Sequence, residues 1–118
     1  MTLITSAQRL QLIANAKATR DAERTDTSFD HYPVVKLFTP DAQCTWLLTE
    51  IDVDDQDRAF GLCDLGQGCP ELGYVSLREI ASLRGTLGLT VERDLHFEAD
   101  RTLSAYAQLA HERSRIVT

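Results

Sequence analysis

The sequence is poor in cysteine and in basic residues, and it has no long hydrophobic run. Its 118 residues include three cysteines, an odd number that argues against a disulfide framework and for reduced thiols. No apolar run approaches the roughly 20 residues that cross a bilayer. The N-terminus lacks the basic start and apolar stretch of a signal peptide. We therefore expect a cytoplasmic protein with no membrane-inserted part.

Basic residues are outnumbered, because 12 Lys and Arg face 18 Asp and Glu and leave a net charge of −6. The excess lies in one segment, from Asp41 to Glu71, which holds eight acids and a single base, Arg58. We call this stretch the acidic segment. Binding to nucleic acid usually needs a basic face that displaces counterions, so direct nucleic-acid binding is not expected. A basic surface on a partner protein is the expected partner.

The hydrophobic fraction of 43% is enough for a core, and the length favours one domain over residues 1–118. Helical periodicity predicts helices at about 6–19, 77–84 and 102–112. The centre, about 33–75, is rich in β-branched and aromatic residues separated by short polar turns, and a weaker strand is possible after Gly88. This order predicts an α+β fold, an antiparallel meander of four to five strands with an N-terminal helix and two further helices packed on it.

Several local signals sharpen this prediction. Ser6 is a candidate N-cap for the first helix, and Ser76 with Glu79 forms a capping-box pattern for the second. Gly85 is expected to end the second helix in the left-handed conformation. Strict alternation in the second strand places Leu47 and Ile51 on the same face.

Four blocks of sequence resemble a known family. They read F-T-P-D-A-x-x-T-W with L-T-E close behind, F-G-L-C-D-L-G, E-L-G-Y-V-S-L and R-G-x-L-G-L-x-x-E-R-D-L-x-F, and they begin at Phe38, Phe60, Glu71 and Arg84. They cover about the middle three-fifths of the chain. The chain is similar to short bacterial proteins from plasmids, phages and integrated mobile elements that are known only as a domain of unknown function. The resemblance implies a bacterial protein linked to mobile DNA and implies no particular activity.

Candidate binding residues lie in these blocks and near the acids. An exposed aromatic beside acidic residues suits protein recognition, although a core position is the common alternative for Trp46. The residues that we single out for binding are Trp46, Asp64, Glu71, Tyr74 and Arg93.

The most chemical-looking cluster is Glu92, Asp94 and His96, which would share one side of a strand. Two carboxylates and an imidazole can perform acid–base chemistry or hold a divalent metal. An exposed polar strand face gives the same pattern, so both readings stay open. With Asp64 and Glu71, this cluster would serve a metal-dependent hydrolase of single-stranded nucleic acid using Mg²⁺ or Mn²⁺.

Other motifs fail on spacing. The run D-x-D-D-x-D from Asp52 lacks the glycine and the bidentate glutamate of a calcium loop, and the turn after Asp64 lacks the lysine of a phosphate loop. The cysteines and histidines are too scattered for a zinc site. No metal or cofactor is therefore expected. We expect a non-catalytic protein-interaction module, and the hydrolase is the alternative.

Overall fold

The protein, described here by a computed structural model over residues 3–118, has the predicted α+β architecture. Five strands form a single sheet, and the helices pack on it. No helix in residues 3–118 combines the length and the apolar character needed to cross a membrane. The elements in chain order are α1 (Ser6–Arg24), β1 (Val35–Phe38), β2 (Thr45–Ile51), β3 (Arg58–Asp64), β4 (Glu71–Ser76), α2 (Leu77–Ser82), β5 (Glu92–Arg93) and α3 (Leu103–Arg113).

The sheet is the predicted antiparallel meander with one strand added. Strands β1 to β4 pair in sequence, and β5 pairs with the free side of β1, which gives the order β4-β3-β2-β1-β5. The two edges of the sheet are therefore β4 and β5. Four inter-strand steps separate them, a distance of about 19 Å at ~4.8 Å per step.

Each face of the sheet carries a hydrophobic core. The first core joins β1 and β2 to α1 and α2, with Trp46, Leu12 and Ile80 among its buried members. The second core joins β2 and β3 to α3 through Leu47, Leu62, Leu103, Tyr106 and Ala110. Both faces of the sheet are covered because successive side chains of a strand point to opposite faces, and β2 is apolar on both.

A β-bulge in β2 overturns the predicted alternation of that strand. Leu48 pairs with Gly61 and Glu50 with Phe60, so Thr49 is an extra residue without a partner of its own. The extra residue shifts the pleat by one position. The Ile51 side chain therefore points into the first core, whereas Leu47 points into the second core on the other face of the sheet.

The N-cap of helix α1 lies one residue earlier than predicted, and Ser6 is the first residue of the helix. Thr5 is the N-cap, and its hydroxyl accepts the Gln8 backbone N–H at 3.1 Å. The Gln8 side chain in return accepts the Thr5 N–H at 3.0 Å, which completes a capping box. The helix also continues past its predicted end, as far as Arg24, with Ala22 buried in the last turn.

The prediction that Gly85 ends α2 in the left-handed conformation is wrong. The helix ends at Ser82 and its C-cap is Leu83, whereas Gly85 does not adopt a positive φ. Gly85 packs closely against a side chain, because a Cβ at this position would lie 1.7 Å from Asp41 Oδ1 and would displace that carboxylate. Asp41 Oδ2 accepts the backbone N–H groups of Leu87 and Leu89, so this carboxylate holds the turn that follows α2.

Candidate functional site

A groove with an apolar lining runs along β4 and α2. It encloses about 450 Å³, and we call it the Trp46 groove. Its walls come from the end of β4, from α2 and from the turn after β3. The apolar side chains that line it are Trp46, Leu65, Tyr74, Val75, Ile80 and Leu83.

Trp46 belongs to the core and also reaches the groove. Only 2% of its surface is exposed, and it packs in the first core. Its position in β2 is opposite Leu37 on one side and Cys63 on the other. It is the single tryptophan of the chain, so its fluorescence reports on this groove.

Tyr74 forms an exposed wall of the same groove. The ring is 61% exposed and lies on β4, at an edge of the sheet. The Arg58 guanidinium lies 3.8 Å from the centre of the ring, a cation–π contact, and the Phe60 ring packs edge-on at 5.0 Å. These two neighbours hold Tyr74 in place, and exposed, well-held aromatic rings are the residues that most often anchor protein interfaces.

Three carboxylates line the groove beside this apolar surface: Asp55, Asp57 and Glu79. Asp57 is held firmly, because it accepts the Ser76 hydroxyl at 2.5 Å and the Arg78 backbone N–H at 2.8 Å. These hydrogen bonds lower the pKa of Asp57 and outweigh a smaller opposing effect of desolvation. A charged carboxylate therefore stands at the start of α2, where the helix dipole also favours it.

The remaining acids of the loop before β3, Asp52 and Asp54, bond to other groups of the protein. Asp52 Oδ1 accepts the N–H groups of Asp54 and Asp55, and Asp54 pairs with Arg20 at 2.8 Å. Carboxylates used in this way form a turn and do not converge on one point, as a calcium loop requires. Within residues 3–118, no three His, Cys, Asp or Glu side chains are grouped so that they could hold a metal ion.

A second apolar depression lies beside β4, on the face of the sheet that carries the second core. It encloses about 500 Å³ between β3, β4 and α3, and we call it the Leu62 groove. Leu62 belongs to the second core, and Leu72 on β4 is 49% exposed. The residues that line it are Leu62, Pro70, Glu71, Leu72, Ala107, Gln108 and His111. Glu71, predicted as a binding residue, is thus placed in a groove other than that of Trp46 and Tyr74.

Asp64 supports the structure of two neighbouring segments. It is 5% exposed at the end of β3. One carboxylate oxygen accepts the Gly66 N–H at 2.9 Å and the other accepts the Ile116 N–H at 3.0 Å. Gly66 and Gly68 adopt positive φ in the following turn, a conformation that glycine takes without strain. Asp64 therefore joins this turn to the C-terminal segment.

The predicted polar cluster near β5 is divided between a strand and a turn. The strand covers only Glu92 and Arg93, and Asp94 and His96 lie in the turn that follows. Asp94 accepts the His96 backbone N–H at 2.9 Å and lies 3.6 Å from the Lys36 ammonium. The strand ends early because Asp94 turns the chain, so these side chains do not share one strand face.

The five residues of the hydrolase hypothesis lie apart. Glu71 is on β4 and Glu92 is on β5, at opposite edges of the sheet, whereas Asp64 is bound to backbone groups between them. Asp94 and His96 line a separate depression beside α3. The arrangement that the structure does bring together is the pair Trp46 and Tyr74, with three acids around them.

The three cysteines are free thiols. Cys44 and Cys63 pack against the first core, as expected of small apolar residues, and Cys69 is exposed. Burial raises the pKa of Cys63 to about 11, so this thiol is protonated at neutral pH and is a poor nucleophile.

Sequence reasoning missed most of the two grooves. Glu79 was identified only as a helix-capping residue, and Arg58 only as the single base of the acidic segment. The signal that could have found them is the apolar pair Leu72 and Tyr74, at alternate positions of β4. Both side chains are exposed on an edge strand, and such a row of apolar side chains leaves water only when a partner covers it.

Comparison with curated proteins gave no match, and comparison with solved structures gave none. A family model matches residues 3–117, nearly the whole chain, and its description is protein of unknown function, DUF2958. The chain therefore belongs to the DUF2958 family, in agreement with the resemblance to a domain of unknown function that its four sequence blocks indicate.

Proposed function

We propose that this protein is a non-catalytic interaction module that binds a basic segment of a partner protein in the Trp46 groove. The partner would be another protein of the mobile DNA that encodes it, in keeping with the sequence resemblance. The observation that carries the proposal is the combination, in one groove, of an apolar lining and three carboxylates.

This combination fits the chemistry of lysine and arginine. Their side chains have an apolar stem and a charged end, so the stem packs on apolar surface while the charge stays near the rim. Leu65 and Leu83 offer exposed apolar surface over the buried Trp46, and Asp55 and Glu79 are exposed acids beside it. Tyr74 gives the groove an aromatic anchor of the kind that dominates binding energy in interfaces.

The hydrolase hypothesis receives less support from the geometry. Metal-assisted hydrolysis needs several ligands within a few ångströms of one point. The candidate carboxylates Glu71 and Glu92 instead lie on opposite edges of the sheet. The groove with the apolar lining therefore favours binding over catalysis.

The test is a titration of the full chain with a heptapeptide in which lysine and valine alternate. Binding is monitored by the fluorescence of Trp46. We expect saturable binding that changes the Trp46 emission. The double variant Asp55→Asn/Glu79→Gln should weaken binding about fivefold or more, since each exposed charge pair contributes up to ~1 kcal/mol.

The matched control is the double variant Glu98→Gln/Glu112→Gln, which removes the same charge from exposed positions outside the groove. It should bind the peptide nearly as well as the parent protein. Equal weakening by both double variants would show that only the overall charge matters, and a peptide that does not bind at all would also overturn the proposal.

A further inference from the structure

We infer that the partner segment binds as an extended strand, which pairs with β4 and becomes the sixth strand of the sheet. This inference rests on the proposed function and adds the conformation and the sequence pattern of the partner. Strand β4 is an edge of the sheet and pairs only with β3 among the strands of residues 3–118. Alternate residues of such an edge direct their backbone N–H and C=O groups outward, ready to pair with another strand.

The two grooves meet at this edge. Their floors lie on opposite faces of the sheet, and Tyr74, which pairs with Phe60 beside the second core, closes the Trp46 groove from the face of the Leu62 groove. The Trp46 groove contains Val75 and Ile80, which pack with the first core, and the Leu62 groove contains Leu62 and Ala107, which pack with the second. The first and second cores are on opposite faces of the sheet. A strand added to β4 would therefore direct its side chains alternately into the two grooves, because successive side chains of a strand point to opposite faces.

The grooves differ in charge, which predicts the pattern of the partner. The Trp46 groove has three carboxylates and the single base Arg58, whereas the Leu62 groove is mainly apolar with Glu71 at its margin. Lysine or arginine should alternate with apolar residues, with the basic side chains in the Trp46 groove and the apolar ones in the Leu62 groove. The partner is thus a basic, amphipathic strand of another protein.

Charge also argues against a second copy of this chain as the added strand. Centred antiparallel pairing of β4 with its own copy would set Glu71 of each copy opposite Ser76 of the other, beside the carboxylates of that copy's Trp46 groove. Like charges that face each other across paired strands are destabilising. A basic segment instead meets these acids with the opposite charge.

The decisive experiment changes the backbone of the alternating lysine–valine heptapeptide and leaves its side chains intact. Two versions are made, one N-methylated at the lysines and one at the valines. In a strand, the N–H groups of one alternate set face the neighbouring strand and those of the other set face away. We expect one methylated peptide to lose at least about tenfold in affinity and the other to bind within about twofold of the parent peptide.

A second comparison tests the pattern of side chains. A peptide of the same composition, with the lysines in one block and the valines in another, should bind about tenfold more weakly than the alternating peptide. On the protein, Leu72→Lys should weaken binding because Leu72 lines the Leu62 groove. Leu95→Lys, at a more exposed leucine outside both grooves, should not.

The outcomes separate this inference from the proposed function. If both methylated peptides bind like the parent, or if the block peptide binds as well as the alternating one, strand addition is wrong while binding in the Trp46 groove stands. If the protein alone forms a dimer in solution and Leu72→Lys makes it monomeric, the strand added to β4 is a second copy of the chain. That result would contradict the inference. Failure of the parent peptide to bind overturns both proposals.

Discussion

Two glycines that face each other across β3 and β4 have different surroundings. A Cβ added at Gly61 would lie 2.0 Å from the Leu47 carbonyl oxygen, whereas a Cβ at Gly73 would meet nothing within 4 Å. The close approach at Gly61 is to backbone, which cannot move aside as the end of a side chain can. Gly61 is therefore required by packing, and Gly73 is not.

We expect Gly61→Ala to lower the free energy of unfolding by about 3 kcal/mol, the upper part of the range for overpacked cores. Gly73→Ala should change it by less than about 0.5 kcal/mol, as for an exposed substitution without special contacts. Urea unfolding followed by Trp46 fluorescence measures both. Similar losses in the two variants would contradict the packing argument.

Glu50 is a half-buried acid whose pKa is raised, chiefly by desolvation and against a hydrogen bond from the Thr19 hydroxyl at 3.1 Å. In the unfolded chain this group titrates near its ordinary value of 4.5, and in the folded protein it titrates above that value. Since the folded state holds its proton to higher pH, stability falls as the pH rises from the unfolded pKa through the folded pKa. The charge of Glu50 therefore destabilises the protein at neutral pH.

We expect Glu50→Gln to unfold at a higher urea concentration than the parent at pH 7, because the amide keeps an acceptor for Thr19 and removes the buried charge. The difference should disappear at about pH 3.5, below the ordinary pKa of a glutamate. The control is Glu112→Gln, at an exposed position on α3, which should give no such pH-dependent difference. A variant less stable than the parent at pH 7 would mean that the hydrogen bond outweighs desolvation.

At the scale of elements, the six-residue helix α2 depends on a loop outside it. Ser76 caps the helix by accepting the Glu79 N–H at 3.2 Å, and the Ser76 hydroxyl itself donates to Asp57. Asp57 also accepts the N–H groups of Leu77 and Arg78, through its carbonyl and its carboxylate. A helix this short has little stability of its own, so the loop that precedes β3 fixes where it starts.

Asp57→Ala should therefore increase amide exchange in α2, residues 77–82, much more than Asp54→Ala, which changes an exposed acid of the same loop that pairs with Arg20. Hydrogen bonds lower the pKa of Asp57, so its charge stabilises the fold above the ordinary pKa and this contribution is lost as the pH falls through the lower, folded value. The difference between the two variants should accordingly shrink in acid. Equal exchange in both variants at pH 7 would refute a capping role for Asp57.

The elements that sequence could predict are those with a local signal. The meander follows from strand composition and short turns, and α2 follows from Ser76 and Glu79, so both were predicted in place. The predicted roles were wrong for residues that act through contacts distant in sequence. Gly85 carries the local signal of a helix end, yet its role depends on Asp41, far away along the chain. Thr49 looks like any alternating strand residue, and only pairing with β3 makes it the bulge.

The candidate site was less predictable for the same reason. The pair Trp46 and Tyr74 was identified as aromatic residues near acids, but their meeting in one groove depends on the packing of α2 beside β4. The polar cluster from Glu92 to His96 alternates as a strand does, and the turn at Asp94 that divides it forms with Lys36 on β1. Alternation along the sequence does not reveal where a strand ends.

Over the whole molecule, the acidic segment has two uses. Asp41, Asp52, Asp57 and Asp64 accept backbone N–H groups and so fix turns and helix starts. Exposed Asp55 and Glu71 are placed near the two grooves. The exposed carboxylates of Asp55 and Glu71 thus lie near β4, where the proposed basic partner would bind.

Binding of the alternating lysine–valine heptapeptide should weaken with salt. The screening length falls from about 10 Å at ~0.1 M to about 3 Å at ~1 M salt, so we expect a loss of roughly fivefold in affinity across this range. The control peptide has glutamine in place of lysine and should bind weakly at both salt concentrations. Affinity that is independent of salt would mean that the carboxylates of the Trp46 groove do not contribute to recognition.

Strand β2 supplies buried side chains to both cores, Trp46 and Leu48 to one and Leu47 to the other. Neither layer of helices can separate from the sheet without exposing part of this one strand. Unfolding of either core therefore disrupts β2 and with it the other core. Thermal unfolding should be a single cooperative transition in which both cores are lost together.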